Sequence, residues 1–143
     1  MNEEQYLESR LEDQLRWYSE KSKHNQSWFI RYKVIEISSA ALIPFLSGFS
    51  EKIPYSSWII GILGLLVAIT ASLTMLFKYH ENWIQYRTTA EQLKHEKYIY
   101  LTGTQPYNTK DKFNLLVERA ESLISKENTE WAASSRKSGV KKA

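Results

Sequence analysis

Cysteine is absent from all 143 residues, which excludes disulfides, zinc ribbons, thiolate metal sites and cysteine nucleophiles. Glycine and proline are scarce, at five and three residues. Two long stretches have neither: residues 3–33, and everything between Gly64 and Gly103. With so few breakers the chain is predicted to be all-α, in long helices. A basic folded surface is missing as well. The formal net charge is +3, but Arg136, Lys137, Lys141 and Lys142 stand in an acid-free tail, and the remainder holds 15 basic against 16 acidic residues. Nucleic acid needs a basic face on the folded part, so no nucleic-acid partner is expected. The N-terminal "MNEEQYLESRLEDQL" has acids where a secretory leader has lysines, and no cleaved leader is expected.

Catalytic signatures are also lacking: there is no Walker loop, nucleophile elbow, zincin motif or dinucleotide fingerprint. His24, His80 and His95 show no metal-ligand spacing with one another. Glu91 and His95, one turn apart, offer two ligands without a third, and read as a solvated helix face. No catalytic residue, metal or cofactor is expected, and the chain is not read as an enzyme.

What is present is apolar residue in concentrated form. Apolar types make up 43% of the chain, yet its mean hydropathy is -0.45. Residues 58–77, "WIIGILGLLVAITASLTMLF", are 20 consecutive uncharged positions. As a helix they span ~30 Å, the thickness of a bilayer's hydrocarbon core. Tyr55 and Trp58 at the start of the run, and Tyr79 and Trp83 after it, stand where amphipathic rings favour the interface. A second run, 34–49, is interrupted by Glu36, which leaves 13 unbroken apolar positions; counted from Tyr32 it reaches 18. Lys33 and Glu36, one turn apart, can pair at its entrance, and Pro44 is expected to kink it. "SEKIPYSS", 50–57, is a tight turn, so the two runs predict a two-transmembrane helical hairpin. Eight Lys and Arg lie near the outer ends of this hairpin against Lys52 alone in the turn, which places both termini in the cytoplasm.

The flanks are predicted to be helical. In residues 3–33, Leu7, Leu11, Leu15 and Tyr18 form one stripe, followed by Asn25, Trp28 and Tyr32. Downstream, Tyr79, Trp83, Tyr86, Ala90, Leu93, Lys97 and Tyr100 alternate spacings of four and three, a long packing seam. The second crossing should therefore continue unbroken to residue 101. "TGTQPYN" then ends that helix, Asn108 or Thr109 caps a last helix over 109–133, and Phe113, Leu116, Val117, Ala120, Leu123, Ile124 and Trp131 give it one apolar face. The result is a single domain over 1–133, with a cytoplasmic three-helix bundle and a flexible basic tail at 134–143.

Within the membrane Gly61, Gly64, Ala68 and Ser72 form a small-residue face that suits close helix packing, inside one hairpin or between copies. Thr70 and Thr74 lie on another face, where they either line an aqueous path or bond to the carbonyl four residues back. Glu36 is read either as an interfacial partner of Lys33 or as part of a charged ring at a pore mouth. Glu81, Arg87, Glu91, Lys94, Glu96 and Lys97 form either an anion pocket or ordinary ion pairs.

The segments "WY" at 17–18, "LIPFL" at 42–46, "PY" at 106–107, Trp131, and above all "ENWIQYRTTAEQLKHEKYIYL" at 81–101 resemble the SLATT domain family, over about residues 5–131. This is a bacterial two-transmembrane effector domain associated with SMODS nucleotidyltransferases and SLOG sensors. Trp83, Tyr86, Arg87, Glu91, Leu93, Lys94, Glu96 and Tyr100 carry the motif here. The resemblance implies a homo-oligomer in the bacterial inner membrane that forms a pore or channel in antiviral defence when a sensor or nucleotide-signalling partner triggers it. The alternative is a membrane-anchored adaptor whose cytoplasmic helices recruit a partner without conduction.

Overall fold

A computed structural model describes residues 1–140; for residues 130, 131 and 134–140 it describes the backbone alone. The elements are α1 (Glu3–Gln5), a π-helical segment (Tyr6–Leu11), α2 (Glu12–Gly48), α3 (Ser56–Phe77), α4 (Tyr79–Thr102) and α5 (Lys112–Val140), with no strand among the described residues. The all-α expectation holds among the described residues: the three-and-four apolar spacing selects helix, and the shortage of Gly and Pro lets the helices run long. The chain divides into two compact units: Met1–Ser22 together with the chain from Ile84 onward, and Lys23–Trp83. We call them the bundle unit and the hairpin unit.

The bundle unit packs the N-terminal helix, most of α4 and α5 around Tyr6, Leu11, Tyr18, Ala90, Leu93, Ala120 and Ile124. A second cluster joins Tyr100, Tyr107 and Leu116. Ala90, Leu93 and Tyr100 are the seam positions predicted for α4. The predicted stripe is shifted at the N-terminus, because Tyr6 is buried where Leu7 was expected and Leu7 is only partly covered. The π-helical segment explains this: with bonds to the fifth residue, positions 6 and 11 share a face. Asn2 starts the chain's first helix with a capping box, accepting from the Gln5 N–H at 2.8 Å while the Gln5 side chain accepts from the Asn2 N–H.

Gly103 ends α4 as "TGTQPYN" predicts. At φ 66° it takes the left-handed conformation, with its N–H donating to Tyr100 O and the Thr104 N–H to Ile99 O, both at 3.1 Å. The last helix starts later than expected, at Lys112 rather than 109, since residues 104–111 form an ordered connection around buried Tyr107. Asp111 precedes the first helical residue, and its carbonyl accepts from the Leu115 N–H at 3.1 Å. α5 continues to Val140, beyond the expected end at 133. The side chains of Trp131 and of the basic tail lie outside what is described.

The hairpin unit contains the second half of α2, α3 and the start of α4. α2 runs without interruption through Pro44 to Gly48. Tyr32 stacks on Tyr79 with ring centroids 5.8 Å apart, and Phe29 meets His80 at 4.8 Å, so the chain returns alongside α2 after the 49–55 turn. One expectation is corrected here. The helix from the second apolar run does not continue straight to residue 101: Lys78 adopts φ 51°, ψ 40° and separates α3 from α4. Its N–H still donates to Thr74 O at 3.1 Å, and the Asn82 side-chain amide donates to Phe77 O at 3.2 Å. A left-handed break at a non-glycine residue leaves no mark in a search for Gly and Pro.

Candidate functional site

In the hairpin unit the usual order of burial is reversed. Its buried residues are Asn25, Ser39, Ser56 and Thr70, all polar, while Val34, Ile37, Phe45, Ile62, Leu65, Met75 and Leu76 are exposed. Met75 is 81% and Leu65 61% accessible. The stretch Ser56–Thr102, whose apolar part is α3, is long and apolar enough to cross a membrane, and its most apolar window is 6% buried. Fully burying one large apolar side chain is worth ~1.5–3 kcal/mol. A surface with this many uncovered apolar side chains far exceeds what isolated exposed residues explain.

The hydroxyls of Thr70, Ser72 and Thr74 are satisfied by carbonyls of their own helix. The Thr70 hydroxyl donates to Leu66 O at 2.7 Å, Thr74 to Thr70 O at 2.8 Å and Ser72 to Ala68 O at 2.7 Å. Thr70 is buried, so of its two readings the bond back to the helix is the one present. Glu36 accepts from Lys33 Nζ at 3.1 Å, so the two residues pair as their spacing allows. Gly61, Ala68 and Ser72 face outward, and a Cβ placed on Gly61 or Gly64 would meet nothing within 4 Å. The small-residue face is therefore not used for packing inside this chain.

The open end of the hairpin unit carries a cluster of rings. Trp28 joins His24, at 6.3 Å, and Tyr32, at 5.7 Å; Tyr32 continues to Tyr79, and Phe29, His80 and Trp83 form an adjacent group. The Arg31 guanidinium lies over the Trp28 ring, 5.2 Å from its centroid.

The bundle unit buries one carboxylate of the charged set on α4, that of Glu96. Glu96 accepts from Arg119 Nη2 at 2.7 Å and Nε at 2.9 Å, and from the Tyr107 hydroxyl. Burial pushes the Glu96 carboxyl up, but the bonds from Arg119 and Tyr107 outweigh it and hold it below its ordinary value. Burial raises Tyr107, reinforced by its bond to Glu96. Two similar arrangements follow the bundle: Tyr6 donates to Glu121, which also pairs with Arg10 at 3.0 Å, and Tyr18 donates to Glu127 at 3.3 Å. Burial, then the Glu121 charge, raises Tyr6 to about 12. The Arg10 bond holds Glu121 low.

The charged residues that the sequence grouped as one pocket separate onto two faces. Arg87, Glu91 and Glu96 line an open groove of about 650 Å³ with His95 and Arg119. Lys94 and Lys97 line a second of about 360 Å³ with Glu12 and Arg16, where Lys97 pairs with Glu12. Glu81 belongs to the hairpin unit. Among the motif residues Leu93, Glu96 and Tyr100 are buried and Tyr86 is partly buried, so these serve packing; Arg87, Glu91 and Lys94 are exposed. Among the described residues no three His, Asp or Glu side chains are placed to hold a metal. Sequence reasoning missed Tyr6, Tyr107, Arg119 and Glu121, whose partners are 11 to 115 residues away and leave no local signal.

A family model described as "Protein of unknown function (DUF4231)" matches residues 13–114, well over half of the chain, and the chain belongs to that family. No curated protein and no solved structure matches it.

Proposed function

We propose that this DUF4231 chain is a membrane effector of the SLATT type, in which both apolar helices of the hairpin unit cross the bacterial inner membrane and several copies assemble into a pore. The observation that carries this reading is the reversed burial of the hairpin unit, with Asn25, Ser39, Ser56 and Thr70 inside and the large apolar side chains outside. That is the polarity of a protein whose solvent is lipid, where polar groups must find partners internally. A bilayer covers the apolar surface, and the outward Gly61 face offers neighbouring copies a close approach. One hairpin encloses no water path, so conduction requires several. The eight-to-one distribution of basic residues sets both termini in the cytoplasm, the bundle unit with them.

The test combines assembly and conductance. Purified protein in nanodiscs is expected to be oligomeric, and in planar bilayers to conduct when activated by its partner; a monomer silent under all conditions would sink the pore. Topology is checked with Ser57→Cys, exposed at the start of α3 beside the turn of this cysteine-free chain. Labelling from the cytoplasmic side would refute the double crossing. A second reading, a tether that recruits a partner without conduction, is favoured by the open groove lined by Arg87, Glu91 and Arg119. It predicts a monomeric anchor whose partner is lost with Arg87→Glu.

A further inference from the structure

The two ends of the hairpin unit differ in charge and in ring content. The turn end carries Glu51 and Lys52, which cancel. The open end carries Lys23, Arg31, Lys33 and Lys78 against Glu36 and Glu81, and the Lys33–Glu36 pair removes one of each sign. Lys23 and Arg31 are exposed and make no ion pair among the described residues. Arg31 is held against Trp28, within the ring cluster that ends the apolar surface. A guanidinium packed on an indole keeps its outer N–H groups directed away from the ring, in a fork that matches a phosphate.

From this juxtaposition we propose that the open end of the hairpin unit is a docking surface for acidic phospholipid headgroups, with Arg31, braced by Trp28, and Lys23 as the cations that take the phosphate. The proposal rests on the membrane reading above and adds the class of lipid and the residues that select it. The occupant is a lipid surface, because Arg31 adjoins the rim of an uncovered apolar face, with Lys23 about 12 Å further out along α2: acyl chains lie on Val34 and Ile35 while the headgroup meets Arg31. A free phosphate ester would gain only the charge and leave that face bare.

The test uses the full chain reconstituted in vesicles of phosphatidylcholine and phosphatidylglycerol in equal parts, extracted in mild detergent, with the retained lipids counted by native mass spectrometry. The wild type is expected to retain phosphatidylglycerol in preference, and the Lys23→Gln/Arg31→Gln double variant to lose about fivefold of that preference for each cation removed. Lys52→Gln, which removes one positive charge at the turn end, should leave the preference intact. Retention of the two lipids in equal amounts by the wild type, or undiminished preference in the double variant, overturns the proposal. Glycerol phosphate is expected not to compete; competition would make this a site for soluble phosphate esters and overturn it too. A carbonate wash separates the two readings. Protein that pellets without lipid preference refutes the headgroup surface alone, whereas protein released by carbonate refutes membrane insertion and this proposal with it.

Discussion

Glu96 on α4 and Arg119 on α5 meet in a two-bond fork of 2.7 and 2.9 Å, with the Glu96 side chain 8% accessible and that of Arg119 45%. The acid is inside and the base reaches in from the surface. Breaking the pair from the exposed side leaves a buried carboxylate with only the Tyr107 hydroxyl. Arg119→Ala is therefore expected to destabilise the bundle unit by about 1–3 kcal/mol, measured by chemical unfolding of the full chain in detergent.

The same pair sets the acid limit of stability. Glu96 and Glu121 are both held below their ordinary value of 4.5, so their contribution is present above that pH and is lost as pH falls through the folded-state values. Glu96→Gln should flatten the acid limb of a Tm-against-pH curve. An unchanged slope below pH 4.5 would show that Glu96 does not govern it.

At alkaline pH the tyrosines act in the opposite sense. Tyr6 is raised to about 12 from 10.0, so its stabilisation is complete below pH 10.0 and is lost as pH rises toward 12. Absorbance titration of the phenols should show a late-titrating set that loses one member in Tyr6→Phe, with a smaller alkaline fall in Tm in that variant.

Lys78 tests the break between α3 and α4. A non-glycine residue in the left-handed region costs ~1 kcal/mol or more relative to glycine. Lys78→Gly should raise stability by about that amount, whereas Lys78→Ala retains the penalty. If glycine destabilises, as it does inside a regular helix, the α3–α4 break is absent in solution and one straight helix runs through position 78.

The Gly61 face gives the last prediction. Because an added Cβ meets nothing within 4 Å, Gly61→Leu should leave the fold of the single chain intact and favour its helix by up to about 1 kcal/mol. If copies pack through this face, the same substitution should dissociate them. Cross-linking in membranes and circular dichroism, read together, check both outcomes.

Local pattern was enough to specify much of this protein. The lack of Gly and Pro dictated long helices, the four-and-three spacing marked Ala90, Leu93 and Tyr100 for the core, and the apolar run at 58–77 identified the helix that is long and apolar enough to cross a membrane. Each depends on the order of residues along a few turns. Tertiary structure alone decided which groups meet across helices. It brought Arg119 to Glu96 and Glu121 to Tyr6, let a π-helical turn put Tyr6 rather than Leu7 inward, broke the long helix at Lys78, and turned Ser39 and Thr70 inward while their apolar neighbours faced out. Periodicity tells which face of a helix is buried, but not which element covers it; that choice depends on packing among residues far apart in the chain.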